Sequence, residues 1–486
     1  MAEMNKEAWR QELRKKNSPK DRMAIERVTM PETEVSVRTT SQRIEVNTGI
    51  SAEAAQIEAV RCLDCPNPTC MSGCPVSINI PTFIKNIERG EFGEAAKTLK
   101  ETSALPAVCG RVCPQEKQCE ANCIYTTKLN KPAVAIGYLE RFASDWERES
   151  GNISIPEKEA DNGIKIAVIG SGPSGLACAG DLAKFGYQVT VFEALHEIGG
   201  VLKYGIPEFR LPNAVVDVEI ANLKALGVEF ITNFIVGMTD SFENLKEQGF
   251  KGFYVASGAG LPNFMNIPGE NANGVLSSNE YLTRVNLMGA DSLTSDTPVL
   301  RGENIMVVGG GNTAMDSVRT AKRLGAKRAM IVYRRTMDEM PARLEEVHHA
   351  IDEGIEFINL ANPIEYITDE TGRVCKAKIQ RMELGEAGAD GRRRPVPIEG
   401  QIDEIECSVV VVAIGVSPNP IIPNSIEGLE MTKWGTIVVG DDTMESNIEG
   451  IYAGGDIVRG GATVILAMGD GRKAAANMHA KFQAKK

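Results

Sequence analysis

The sequence predicts an α/β chain in which a helical, cysteine-rich N-terminal domain precedes two parallel-sheet units. Three observations carry this. Eight of the eleven cysteines fall between Cys62 and Cys123. The order strand, glycine turn, helix occurs twice, from Ile164 and again from Ile305. At 486 residues the chain is also well past the roughly 250–300 at which a single core stops growing. The expected divisions are 1–155 for the helical domain, 156–300 and 421–486 for the two parts of a first nucleotide domain, and 301–420 for a second one inserted in it.

Hydrophobic residues make up 43% and charged residues 24%, enough apolar material to bury a sizeable core. The 53 basic and 65 acidic residues give a net charge of −12, which argues against nucleic acid or an anionic membrane surface as the main partner. No apolar run reaches the length that crosses a bilayer; the longest strand-like stretch, Val409 to Ile414, has a buried-strand pattern. Met1 to Arg27 mixes Glu with Lys and Arg and lacks the apolar centre of a signal peptide, so a cytoplasmic location is expected.

In the N-terminal domain the first cysteine group reads Cys62-x2-Cys65-x4-Cys70-x3-Cys74-Pro75, and the second Cys109-x3-Cys113-Pro114-x5-Cys119-x3-Cys123. Without a secretion signal, two close sets of four thiols point to metal rather than to a disulfide framework. Thiolates suit soft metals, and two-cluster ferredoxins use a close run ending in Cys-Pro whose last cysteine serves the other cluster. Two 4Fe-4S clusters held by these eight thiolates are therefore expected. A pair of tetrahedral zinc sites is the competing reading, although such sites usually pair two-cysteine knuckles across a longer loop. Pro75 and Pro114 cannot continue a hydrogen-bonded helix, which leaves loop N–H groups for cluster sulfurs. Between the groups, Phe83, Ile84, Ile87, Phe92, Ala96 and Leu99 recur at helical spacing, so helices are expected to pack around the clusters. Cys178, Cys375 and Cys407 are expected to be ordinary small core side chains.

A linker near Pro156 to Gly163 leads into an apolar strand, Ile164 to Ile169, and then Gly170-Ser171-Gly172-Pro173-Ser174-Gly175 with a helical pattern beyond. Gly170, Gly172 and Gly175, with Pro173 and Ser174, let the backbone approach a pyrophosphate at the helix N-terminus. The next strand, Gln188 to Phe192, delivers Glu193 to a ribose hydroxyl. The flanking strand, the helix and the acid together make this more than a glycine-rich turn.

The second instance runs from Ile305 through Gly309, Gly310, Gly311, Asn312, Thr313 and Ala314 into a helix, and then a strand from Ala329 to Tyr333. It ends in Arg334 and Arg335 rather than an acid. An arginine fork there suits the 2′-phosphate of NADP; a solvated basic pair is the alternative. One acidic and one basic site on a chain suggest FAD held by the first unit and NADP(H) by the second.

Val255-Ala256-Ser257-Gly258 and Val411-Val412-Ala413-Ile414-Gly415 resemble the strands that close each nucleotide domain in two-dinucleotide flavoproteins. Ile451-Tyr452-Ala453-Gly454-Gly455-Asp456 resembles their second flavin motif, so the flavin domain is expected to be discontinuous. Ala462, Thr463 and Val464 open a last helix running to about Ala484, whose positive N-terminal end would face the flavin. Gly199-Gly200 and Tyr204-Gly205-Ile206-Pro207 are expected to form the loop against the ring system, although a structural turn would use the same residue types, and Val201, Leu202 and Arg210 are further expected cofactor positions. Val236, Ala256, Gly258, Gly415, Gly455 and Asp456 complete the expected cofactor positions.

The stretch Gly199 to Pro212, with Cys109-Gly110-Arg111-Val112-Cys113-Pro114-Gln115 and Tyr333-Arg334-Arg335, closely resembles the small-chain family of NADPH-dependent glutamate synthase. The likeness runs from about Met30 to the C-terminus. Relatives include the large chain of the electron-bifurcating NADH-dependent ferredoxin:NADP oxidoreductase, sulfide dehydrogenase, and the N-terminal part of dihydropyrimidine dehydrogenase. The resemblance implies crossed ligation: Cys62, Cys65, Cys70 and Cys123 on one cluster, and Cys74, Cys109, Cys113 and Cys119 on the other. It implies hydride transfer from NADPH to FAD and electrons passing through two 4Fe-4S clusters to a larger redox partner, the glutamate synthase large chain or a ferredoxin or flavoprotein subunit. Oligomerisation is left open.

Hydride transfer needs no side-chain acid, base or nucleophile, so no catalytic residue is expected. A disulfide reductase would need a redox cysteine pair beside the flavin, and none follows Cys123. Complete glutamate synthase activity is not expected, since residue 2 is Ala rather than a nucleophilic cysteine. A cluster-bearing scaffold would be expected to lack one of the two dinucleotide fingerprints.

Overall fold

In the computed structural model, residues 7–388 and 391–484 are described; Ala2 lies outside them. Helices make the N-terminal domain. Ala8–Lys16 is followed by Pro19–Ala24, whose Ser18 and Asp21 form a reciprocal N-terminal cap. The amphipathic stretch between the cysteine groups folds as two helices, Ile80–Glu88 and Phe92–Lys100, broken where Gly90 takes a left-handed φ of 84°. Phe83, Ile84, Ile87 and Leu99 are fully buried between them and helix Ile136–Ser150.

The first parallel sheet has the strand order Ile451–Ala453, Phe250–Val255, Lys165–Ile169, Gln188–Phe192, Glu229–Ile231. One edge strand comes from near the C-terminus, so the first nucleotide unit is discontinuous. The second parallel sheet runs Val275–Ser277, Val409–Val412, Asn304–Val308, Arg328–Tyr333, Glu356–Asn359. Its first strand lies well before residue 301, so the second unit begins earlier than the sequence division. A strand of three residues, two of them half-buried and the third, Ser277, already capping the helix Ser278–Asn286, is too short for a periodic signal. The chain crosses between the units along Leu261–Pro262 and returns along Val416–Ser417, and these two segments pair antiparallel. A three-stranded antiparallel sheet, Ala361–Thr368, Val374–Ala387 and Arg393–Glu406, extends from the second unit.

The core of the cysteine domain is continuous with the helix layer of the first unit: Val108, Cys109, Leu176, Cys178, Met468 and Met478 belong to one apolar cluster. Contacts to the second unit are polar. Arg343 donates to the Arg111 carbonyl (2.7 Å) and to Gln115 Oε1 (2.9 Å), and Gln42 donates to the Thr320 carbonyl (3.0 Å). Among the described residues no helix is long and apolar enough to cross a membrane.

Candidate functional site

Apolar strands that end in glycine turns aim both turns at one space. A cavity of about 540 Å³ is lined from the first unit by Gly170, Gly172, Pro173, Ser174, Glu193, Gly200, Val201, Gly205, Ile206, Arg210, Val236, Ala256 and Gly258. Gly455, Asp456, Ala462, Thr463 and Val464 close it from the C-terminal part, and Asn312, Thr313 and Gly415 from the second unit. Its volume is in the range that holds a cofactor. Helices Pro173–Lys184 and Asn312–Arg323 both start at a glycine with no side-chain cap, which leaves their first N–H groups for phosphate oxygens.

Glu193 is buried at the end of its strand. One carboxylate oxygen accepts from the Ser171 N–H (2.9 Å) and hydroxyl (2.5 Å), and the other from the Leu195 N–H (2.9 Å). The same Ser171 hydroxyl accepts from the Gly199 N–H (2.9 Å), so one acid ties the first glycine turn to the Gly199–Gly200 loop. On the opposite wall Asp470 accepts from the Gly455 N–H (3.0 Å) and pairs with Arg459 (2.6 Å), fixing helix Val464–Ala484 beneath the Asp456 loop. Burial raises the Asp456 carboxyl.

Several expected positions stand elsewhere. A side chain at Gly175 would collide with the Gly170 carbonyl oxygen, so this glycine serves close helix–strand packing. Leu202 is fully buried in the core: in the single turn Val201–Tyr204, positions 201 and 204 share the cavity face while 202 points inward. Arg210 borders the cavity, but its guanidinium is engaged, 2.7 Å from both oxygens of Asp316 and 3.0 Å from Glu346. It joins the two nucleotide units rather than reaching freely for a cofactor. Gly309 and Gly311 lie in the second glycine turn, and Ala314 is fully buried within the helix Asn312–Arg323 that follows it. Arg334 is exposed at the end of strand Arg328–Tyr333. Arg335 is half-buried and donates through Nε to the Arg393 carbonyl (2.8 Å).

The cysteines form two neighbourhoods. Burial raises the thiols of Cys62, Cys65 and Cys70, that of Cys65 to about 11, and each is raised further by charge on Cys123. Burial raises Cys74 to about 11, with charge on Cys113 adding to it; Cys119 is raised by burial and then by neighbours that include Cys74 and Cys113. Cys109 is raised by its hydrogen bond with Cys113, by burial, and by the charges of Cys113 and Cys74. Charge thus links Cys123 to Cys62, Cys65 and Cys70, and Cys113 to Cys74, Cys109 and Cys119. Four thiolates in such company repel unless cationic iron lies among them, and the all-thiolate donor set fits 4Fe-4S clusters.

Val112 and Pro114 also line the flavin-side cavity, together with Asn279, Leu282 and Asp316. Sequence reasoning gave Pro114 only a role beside a cluster and missed the others. The Cys109-x3-Cys113-Pro114 spacing held the signal for the first two, because a loop that brackets a cluster must show its outer side chains to something.

Residues 164–471 match the pyridine nucleotide-disulphide oxidoreductase family, and residues 39–152 match the family described as dihydropyrimidine dehydrogenase domain II, 4Fe-4S cluster. The small chain of NADPH-dependent glutamate synthase from Azospirillum brasilense is 36% identical over 462 residues, covering 94% of this chain and 95% of the relative. The chain belongs to the glutamate synthase small-chain family. The Escherichia coli small chain, at 35% identity, covers 93% of this chain and 96% of its own length. Membership in the glutamate synthase small-chain family makes this protein an NADPH-dependent oxidoreductase with FAD, NADP(H) and 4Fe-4S clusters as its cofactors. Among solved structures, Mycobacterium tuberculosis FprA in complex with NADPH superposes with a TM-score of 0.55 at 21% identity, over 66% of this chain and 85% of that one. Lactococcus lactis thioredoxin reductase gives 0.50 at 22% identity, over 66% of this chain and all of the other. These two likenesses concern the fold.

Proposed function

We propose that this chain takes electrons from NADPH at the Gly309–Arg335 unit and delivers them through its two cysteine groups to a larger partner, the large chain of a cytoplasmic glutamate synthase. The observation that carries the order of steps is the shared wall: Val112 and Pro114, which bracket Cys113, line the same cavity as the Gly170 turn and Asn312. FAD, when bound, exchanges a hydride with the nicotinamide and single electrons with iron–sulfur clusters.

The chain's own residues do the positioning. Glu193 and the Gly170 turn hold the ribose and pyrophosphate of one dinucleotide; the Gly309 turn, Arg334 and Arg335 hold those of the other. Cys113 sits between two cavity-lining residues, Val112 and Pro114, so its group, with Cys74, Cys109 and Cys119, would take electrons first and the group of Cys62, Cys65, Cys70 and Cys123 second. Three of the four thiols in the group of Cys62, Cys65, Cys70 and Cys123 are part-exposed, all but Cys123, whereas only Cys74 of the other four is, which supports the first group as the exit. The naming of the Azospirillum and Escherichia relatives as glutamate synthase small chains supports the choice of partner.

Anaerobic purification with copurifying chains tests this, followed by assay of NADPH-dependent conversion of glutamine and 2-oxoglutarate to glutamate. Glutamate formation that requires a copurifying large chain supports the reading. Its absence with every copurifying chain, alongside NADH–ferredoxin–NADP activity, overturns it.

A further inference from the structure

The long antiparallel ribbon of the second unit returns beside the arginine pair at the end of strand Arg328–Tyr333. Three bonds stitch it there. Arg335 Nε donates to the Arg393 carbonyl (2.8 Å), the Leu360 N–H donates to the Arg335 carbonyl (3.0 Å), and Arg393 Nε donates to Glu339 Oε1 (3.1 Å). Glu339 is itself anchored: its other oxygen accepts from the Thr336 N–H (3.1 Å), and its carbonyl accepts from the Tyr333 hydroxyl (3.0 Å). The carboxylate is 11% exposed, while the Arg393 side chain it holds is 53% exposed.

A partly buried, anchored acid thus presents an exposed arginine next to two others. Gly391-Arg392-Arg393-Arg394 offers three candidates, and the ribbon selects one of them for this loop. Successive residues of a strand point to opposite faces, so with Arg393 turned toward Glu339 its neighbour Arg394 faces away. Arg334, Arg335 and Arg393 together set three guanidinium groups against the two acids of this turn, Asp338 and Glu339. A phosphate monoester carries nearly two negative charges and three acceptor oxygens, more than one arginine fork can satisfy.

We propose that Arg393, held by Glu339, is a third arginine of the adenosine 2′-phosphate site and contributes to the choice of NADPH over NADH. The proposal rests on the reading above that Arg334 and Arg335 face that phosphate. The bland alternative is a solvated arginine that merely closes an ion pair on the ribbon, in which case its loss affects every nucleotide equally.

Calorimetric titration of the cofactor-loaded protein with adenosine 2′,5′-bisphosphate and with 5′-AMP separates these. The wild type is expected to bind the bisphosphate more tightly. Arg393→Ala should weaken the bisphosphate about tenfold, the scale of one charge-assisted hydrogen bond, and leave 5′-AMP within about twofold. Arg393→Lys should restore part of the loss, and Glu339→Gln, which keeps the cap's hydrogen-bonding shape, should give a smaller loss of the same sign. KM for NADPH should rise with that for NADH unchanged. If the wild type discriminates but Arg393→Ala and Glu339→Gln bind both ligands as the wild type does, or weaken both equally, this proposal is overturned while the Arg334–Arg335 reading stands. If the wild type itself does not discriminate, that reading fails and this one with it. Thermal unfolding of each variant identifies misfolding; should Arg393→Ala unfold early, Arg393→Lys and Glu339→Gln decide by the same criterion.

Discussion

The Sγ of Cys109 lies 3.6 Å from the Sδ of Met468, and both side chains are fully buried. Met468 sits one residue beyond Ala467, which lines the cavity, on the helix whose first turn closes that cavity. Met468 thus packs the helix that closes the cavity onto the second cysteine group. Met468→Ala should cost ~2–5 kcal/mol through the cavity it leaves, and Met468→Leu less than about 1.5 kcal/mol. Denaturant unfolding measures both. In stopped-flow reduction by NADPH, flavin bleaching should persist in Met468→Ala while cluster bleaching slows.

The crossed ligation that the family resemblance implies has a spectroscopic consequence. Cys123→Ser should alter the same electron paramagnetic resonance signal as Cys62→Ser and Cys65→Ser, whereas Cys113→Ser and Cys119→Ser should alter the other. Loss of one cluster should lower iron content by about half. If Cys123→Ser instead grouped with Cys113→Ser, the neighbourhoods described above would not be those of the loaded protein.

Replacing Arg334 and Arg335 with Ala should raise KM for NADPH by about tenfold or more, on the scale of lost charge-assisted contacts, with KM for NADH little changed. Equal effects on the two coenzymes would remove the assignment.

Arg210 and Asp316 give a different kind of variant. Removing either leaves the partner's charge buried, which should cost ~3–5 kcal/mol. Because Arg210 is spent on Asp316 and Glu346, flavin content per folded protein should stay near that of the wild type in Arg210→Ala. The flavin-to-protein absorbance ratio, read beside thermal unfolding, checks this.

Burial pushes the Glu140 carboxyl up to about 8, with charge on Glu219 adding to it, and burial pushes Glu219 itself up to about 7. Both acids therefore hold their protons to a higher pH in the folded chain than when unfolded, where they ionise near 4.5. Their stabilising contribution is complete below pH 4.5 and is lost as pH rises toward 8, at up to about 1.4 kcal/mol per pH unit for each proton. Glu140→Gln should flatten the decline in stability between pH 5 and 8, about one proton's worth. An unchanged slope in unfolding experiments across that window would show that Glu140 ionises freely.

What could be read without coordinates was what short segments specify. Strand, turn and helix around Gly170 and Gly309 depend on residues within about a dozen positions, so apolar runs and glycine spacing were sufficient to find them. The eight cysteines were equally plain, since close thiols announce a metal site by chemistry alone. Three-residue strands such as Val275–Ser277 carried no such signal, and the start of the second unit was misread for that reason.

By itself, then, the sequence determined the two nucleotide-binding units, their acidic and basic endings and the iron–sulfur character of the cysteine-rich domain. Only the tertiary structure decided that Val112 and Pro114 face the flavin cavity, that Arg210 is committed to Asp316, and that Arg393 arrives beside Arg335 from 58 residues away. The physical reason is range. Periodicity and turn chemistry act along neighbouring residues, whereas these contacts exist only once burial of apolar faces has packed three separately formed units against one another.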